Sequence, residues 1–297
     1  MSGALLGLRK KIGSIKNTKK ITKAMQLVAA SKMRNFQIKA VSTRNFVDEL
    51  LNLLEKNIAH ENSFTEKRKE GKTLFVIYTS DKGLCGGLNN HILRALTNSE
   101  KWKNTKDNEK LLFTIGKKSK DFARSNKIPV DKSLTGLPEK MTSLDALEVI
   151  NEIMTYWTEK NVKEIIFLSP HYKNSFTYYP TFKTILPFSL DMIESHFKHK
   201  EDKKSGKIDQ FMIYEPSEKR VIEVLYEMII ESTFLQSFLE LKASEYSSRM
   251  IAMQSATDSA DKIIHQLTLN FNKMRQAVIT QELSELIGAS EAISEEE

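Results

Sequence analysis

At 297 residues, 40% hydrophobic and 28% charged, the chain is long enough for a sizeable core and too apolar for a disordered polymer. Its longest apolar runs, such as Leu74–Tyr78, are far too short to cross a bilayer, and a single cysteine, Cys85, excludes an internal disulfide framework and fits a reducing compartment. The net charge of +7 is uneven: Arg9, Lys10, Lys11, Lys16, Lys19, Lys20, Lys23, Lys32, Arg34, Lys39 and Arg44 all precede the first acidic residue, Asp48, and a one-signed run of that length predicts an acidic partner.

Residues 3–58 read as one long helix. Heptad positions fall on Leu8, Ile12, Ile15, Lys19, Thr22, Gln26, Ala29, Met33, Phe36, Ala40, Thr43, Val47, Leu50 and Leu54. The seam is apolar at both ends and polar at Lys19, Thr22 and Gln26, where Ile21, Met25 and Val28 carry apolar spacing on a rotated face. Either a stutter re-aims the seam, or the helix shows a second apolar face to another protein. Gly13 costs this helix about 1 kcal/mol relative to alanine and marks a soft spot. The N-terminus is basic and amphipathic like a transit peptide, but the pattern persists for so many residues that it reads as structure rather than address.

A polar linker, 60–72, leads into an alternation of strands and helices. Strands are expected at 73–79, 110–115 and 163–168, with helices from Leu88 to about Leu96, from Gly116 to Ser125, and from a cap at Ser143 or Asp145 to about Lys160. The segments 176–186 and 210–214 add strands, the first as an antiparallel edge pair, and 198–207 is a charged loop. Such alternation indicates a mainly parallel, doubly wound sheet.

From 217 to 287 there is neither proline nor glycine, and Pro216 stands where proline suits a helix start. Here the heptad positions run Val221, Leu225, Met228, Ser232, Leu235, Leu239, Lys242, Tyr246, Met250, Met253, Thr257, Ala260, Ile264, Leu267, Phe271, Met274 and Val278. About 70 residues at 1.5 Å each give a rod on the order of 105 Å. A second stripe (Ile222, Tyr226, Ile230, Phe234, Phe238, Leu241) fades beyond 241, as expected of a helix first clamped by a globular domain and then paired with one partner. The fold class that follows is α/β. An antiparallel two-helix coiled coil of the terminal segments (1–58 and 216–290) carries an inserted doubly wound domain of about five strands (73–215).

Chemistry is sparse. The turn Ser80-Asp81-Lys82-Gly83-Leu84-Cys85-Gly86-Gly87 sits where α/β proteins bind phosphate, but Gly83, Gly86 and Gly87 fit neither nucleotide-loop spacing and read as a structural turn. Cys85 as a nucleophile lacks a base tied to it, His91 being the nearest histidine in sequence. His196 and His199 have no ligand partners at metal spacing. No catalytic, cofactor or metal residue is assigned. A coiled-coil adaptor with a nucleic-acid-binding basic helix is the competing reading, and salt-sensitive nucleic acid in a pull-down would favour it; nucleotide bound to the isolated chain would favour an enzyme.

Three blocks decide between them. Lys16 to Met33 (KNTKKITKAMQLVAASKM) closely resembles the N-terminal signature of the γ-subunit family of F-type ATP synthases, and Ser80 to Asn89 (SDKGLCGGLN) resembles its glycine turn. Arg249 to Met253, Ala256 to Asp258 and Asn272 to Leu283 (NKMRQAVITQEL) are similar to its C-terminal signature. The resemblance implies a non-catalytic rotor shaft inside a ring of three α and three β subunits. The inserted domain would rest on the membrane c-ring beside the ε subunit, on the cytoplasmic face of a bacterial inner membrane. It implies β-subunit contacts at Lys20, Lys23, Met25, Arg275, Gln276 and Thr280, c-ring contacts at Tyr214 and Glu215, and an apolar bearing around 283–293. No cofactor, nucleic acid or transmembrane segment of its own is implied, and the redox switch of photosynthetic members is absent because there is no second cysteine.

Overall fold

The computed structural model of the protein describes residues 2–55, 63–189 and 214–294, with side chains from 3 to 290. Two helices dominate, α1 (Ser2–Glu55, 54 residues) and α6 (Glu218–Ser294, 77 residues). Each is unbroken: α1 runs straight through Gly13, and α6 spans about 115 Å at 1.5 Å per residue. The chain forms two compact units, Met1–Ala29 with Arg249–Glu297, and Ala30–Ser248, and both helices contribute to each.

The first unit is the coiled coil. The covered positions of α1 are Leu5, Leu8, Ile12, Ile15, Lys19, Thr22, Met25, Gln26 and Ala29, and those of α6 are Arg249, Met250, Ala252, Met253, Gln254, Ala256, Thr257, Ala260, Ile264, Leu267, Phe271, Met274 and Val278. Numbering falls on one helix as it rises on the other: Lys19 pairs with Asp261, the Thr22 and Thr257 hydroxyls meet at 2.8 Å, and the Gln26 amide donates to Gln254. The pairing is therefore antiparallel. It also decides the seam, because Lys19, Thr22 and Gln26 stay in it with polar partners while Ile21 and Val28 face outward, so there is no stutter. Beyond Val278 every described side chain of α6 is exposed, and the longer helix outruns its partner.

The second unit is built on a five-stranded sheet in the order β3-β2-β1-β4-β5. Its strands are β1 (Lys72–Tyr78), β2 (Lys110–Ile115), β3 (Lys132–Leu134), β4 (Val162–Asn174) and β5 (Thr177–Leu186). The first four are parallel and β5 is antiparallel to β4. Between them come α2 (Leu88–Asn98), α3 (Glu100–Asn104), α4 (Lys117–Ser125) and α5 (Ser143–Glu159). From Thr73 on, β1 is buried on both faces, as expected of a central parallel strand, and residues of opposite parity meet opposite layers. Tyr78 and Phe167 pack on Phe234 of α6, and Phe113 packs edge-on to Tyr156 of α5. On the other face Phe75 meets Trp102 of α3. Helices thus cover both sides, which is the doubly wound arrangement.

Several local expectations needed correcting. The strand expected at 163–168 continues to Asn174, because Ser169 to Asn174 pair with Thr177 to Thr181 in a two-stranded extension that includes the Pro170–Pro180 pair. Prolines there read as breakers, yet a hairpin edge tolerates their missing donors. Segment 176–186 is accordingly one strand, paired to β4. The α5 cap is Thr142, whose hydroxyl accepts from Asp145 N while the Asp145 carboxylate accepts from Thr142 N, a reciprocal box. At the start of α6 the second stripe is the deeply buried one, and the heptad position Met228 is 40% exposed. The expected strand 210–214 lies outside the described residues but for Tyr214, which is in no strand, and the loop 198–207 with His196 and His199 also lies outside them.

Inside this unit α1, α6 and β4 are joined at Glu240. Its fully buried carboxylate accepts from Arg44 Nε and Nη2 at 3.1 and 2.9 Å, from the Gln236 amide at 2.9 Å and from Tyr172 N at 3.3 Å, and lies 3.0 Å from His171 Nδ1. Burial acts to raise its pKa, but Lys183, His171 and Arg44 outweigh burial and hold it well below the usual carboxylate range. Further along, Lys32 and the Tyr246 hydroxyl both donate to Glu139, and Tyr246 stacks on Phe36.

Candidate functional site: exposed helix faces and the glycine turn

On α1 the residues not needed for the coil form a mixed basic and apolar surface. Ile21 and Val28, seven residues apart and so within about 20° of each other on the helix, are 61% and 56% exposed. Half-buried Met25 lies between them and the seam, while Lys20, Lys23 and the 61% exposed Leu27 lie around the other flank. Lys23 also reaches the seam, donating to Gln26 at 3.2 Å. Exposed apolar side chains interleaved with lysines leave apolar area in water that a partner could favourably cover, and so suit a partner surface.

Arg275, Gln276 and Thr280 are exposed on α6, with the Thr280 hydroxyl turned back to Gln276 O at 3.0 Å. The antiparallel register separates them from the α1 group. Asp261 lies opposite Lys19, so Arg275 is fourteen residues further on, about 21 Å along the coil. The six residues expected to contact β subunits thus make two patches at different levels. Ile279, Leu283, Leu286 and Ile287 continue α6 as an exposed apolar stripe. Tyr214 is half-buried and Glu215 exposed.

The glycine turn follows β1 at the point where the strand order reverses, the usual ligand position of such sheets. Its polar groups are engaged by one another. Asn89, on α2, accepts from Ser80 N at 3.0 Å and donates to Ser80 Oγ and Cys85 Sγ. Asp81 accepts from Lys117 N at 2.8 Å, so this carboxylate caps α4 where an external anion would otherwise sit, and it also accepts from Gly136 N. Gly86 has φ +57, a Cβ on Gly87 would come 3.1 Å from His91 Nε2, and Gly83 has only the end of Lys118 nearby. Cys85 is buried, and His91 pairs through Nδ1 with the Tyr178 hydroxyl at 3.0 Å. Sequence reasoning missed Asn89 and Glu240, although a polar residue one position from a buried leucine on α2, and a carboxylate inside the apolar stripe of α6, were the available signals.

The comparisons with known proteins agree with this architecture. The family model described as ATP synthase matches residues 4–293. The ATP synthase gamma chain of Polaromonas sp. strain JS666 is 34% identical over 290 residues, 96% of this chain and 98% of that one. That of Glaesserella parasuis serovar 5 is 32% identical over the same shares. Two solved structures of the Euglena gracilis mitochondrial ATP synthase share the fold at 17% identity. The rotor in rotational state 1 has a TM-score of 0.66 over 94% of this chain and 100% of its own, and the OSCP/F1/c-ring assembly in rotational state 3 has 0.67 over 99% and 95%. With full-length relatives above 30% identity and a family model spanning nearly every residue, this chain belongs to the ATP synthase gamma-chain family.

Proposed function

We propose that the chain is the rotor shaft that couples a proton-driven c-ring to a head of three α and three β subunits, with an ε subunit beside it. The single observation that carries this reading is the outward face of α1, where Ile21 and Val28 stand exposed beside Lys20 and Lys23 on a helix whose seam is already filled. That face suits an acidic partner with apolar contacts, which the lysine run also demands. Lys20, Lys23 and Met25 would meet β subunits at one level, and Arg275, Gln276 and Thr280 at another. Tyr214 and Glu215 would face the c-ring, and the stripe from Ile279 to Ile287 would turn in an apolar bearing.

One asymmetric shaft offers three identical β subunits three different surfaces. Each subunit then favours open or closed states by its differential contact energy with the face it meets, and rotation permutes those states. The chain would hold no reacting group; its contribution is stiffness and facial asymmetry. The complex would sit on the cytoplasmic face of a bacterial inner membrane as a peripheral assembly, and among the described residues no helix is long and apolar enough to cross a membrane.

The test is Ile21→Asp and Val28→Asp in the assembled complex. Both side chains are exposed, so the chain should fold and assemble, while a carboxylate brought against acidic loops should repel them. ATP-driven proton pumping is expected to fall more than ATP hydrolysis. Normal pumping per ATP in both variants would remove this face from the mechanism.

A further inference from the structure

We propose that a cleft in the second unit, between α1, β5 and α6, binds an anionic amphiphile whose head sits on Lys183. The cleft measures about 1120 Å³, slightly above the usual range of roughly 300–1,000 Å³ for small-molecule sites. Among the described residues five cations line it, Arg44, Lys67, Arg68, Lys163 and Lys183, against one lining carboxylate, Glu164. Leu51, Phe188 and Ile229 supply apolar wall.

What singles out Lys183 is burial without an acceptor: Lys67 is exposed to water, and the other neighbouring charges are engaged. Arg44 is held by Glu240 and by Tyr172 O at 2.8 Å, Arg68 donates to Trp157 O and Val162 O at 2.7 and 2.8 Å, and Lys163 reaches Glu109 at 3.2 Å. Glu164 is taken by Lys101 at 2.7 Å and by the Thr184 hydroxyl. The Lys183 ammonium alone among these is buried with no hydrogen-bond partner. Burial lowers its pKa, with Glu240 and Asp48 opposing that effect and Arg44 adding to it. Glu240 and Asp48 balance its charge from nearby, but its N–H donors meet no acceptor, which is costly in a buried site; an oxyanion in the cleft would supply up to three acceptors while its apolar body covers Leu51, Phe188 and Ile229. Inorganic phosphate would lack that body, and a neutral alcohol would lack the head. The ligand class is therefore a carboxylate or phosphate monoester on a hydrocarbon chain, whether a free acid or a lysolipid.

The test uses the full chain with octyl phosphate, octanol and inorganic phosphate as probes, read by titration calorimetry and by the shift in melting temperature. Octyl phosphate is expected to bind at one saturable site, with the other two probes at least about tenfold weaker. Lys183→Met should weaken octyl phosphate by about 10–100-fold, the worth of one charge-assisted hydrogen bond, and Lys183→Arg should retain binding. Should Lys183→Met fail to fold, wild type with 15N-labelled lysine decides: octyl phosphate, and not octanol, should shift the Lys183 side-chain resonance. Equal binding of octanol, unchanged binding by a folded Lys183→Met chain, or an unmoved Lys183 resonance would each overturn the proposal. A lysolipid and an alkanoate then distinguish the two sources by affinity. The inference does not rest on the rotary reading, since binding is measured on the chain alone and coupling only in the complex.

Discussion

Gly116 shows how one residue can be fixed by backbone geometry alone. It has φ +96, and a Cβ placed there would stand 2.0 Å from Thr79 O. Gly116→Ala is therefore expected to cost more than about 2 kcal/mol in urea unfolding, whereas Gly83→Ala, whose Cβ would meet nothing nearer than Lys118 Cε at 3.9 Å, should be nearly neutral. Equal effects would mean that β1 and the start of α4 can separate without loss. The sequence made Gly83, Gly86 and Gly87 conspicuous because they cluster, and left Gly116 as an ordinary helix lead-in, because close approach between two strand ends has no local pattern. Glu240 carries the pH dependence. Its folded pKa is depressed, so the unfolded state binds the extra proton, and its stabilisation is complete above the ordinary carboxylate value near 4.5 and lost as pH falls below it. Glu240→Gln should cost about 3–5 kcal/mol at pH 7, where it leaves Arg44 and Lys183 uncompensated, and less at pH 3. A pH-independent penalty would show that the carboxylate charge is not what is being lost.

Among the elements, the long helices were the most legible, because a heptad pattern repeated over many turns averages out its exceptions. The same averaging hid what α6 does near its start, where two apolar stripes overlap and burial selects the second. Short elements were not legible: β3 has three residues and α3 five, and each is held by its neighbours, β3 by β2 and Trp102 by Phe75. The polar seam was legible as composition but not as structure, since only the register shows that Lys19, Thr22 and Gln26 meet Asp261, Thr257 and Gln254. This gives a pairwise prediction. Thr22→Val or Thr257→Val alone leaves a hydroxyl facing a methyl and should destabilise the coil by about 1 kcal/mol, while the double variant should return to wild type or exceed it. Helix melting followed at 222 nm on the four chains completes the cycle, and additive losses would refute the contact.

For the molecule as a whole, the question is whether α1 and α6 must move against each other while the proposed shaft turns. A coil that transmits torque works best as one body, and the polar contacts at Lys19, Thr22 and Gln26 oppose sliding, because any shift along the axis breaks the Lys19–Asp261 pair, parts the Thr22 and Thr257 hydroxyls and takes the Gln26 amide from Gln254. The fully covered Ala260 and Ala29 add to this, since small residues let the helices approach closely and leave no slack. Locking the helices together should then be harmless. Thr22→Cys with Thr257→Cys puts two thiols where hydroxyl oxygens now meet at 2.8 Å, close enough for a disulfide after small side-chain adjustment. The native Cys85 is buried in the other unit and should not compete for oxidation. In the assembled complex, oxidation is expected to leave both ATP hydrolysis and ATP-driven proton pumping at the level of the reduced form, with the cross-link verified by mobility on a denaturing gel. If the oxidised complex stalls and reductant restores it, the two helices must slide or unwind during each turn. The coil would then act as a flexible linkage, and stiffness could no longer explain how one shaft sets three β subunits to three different states.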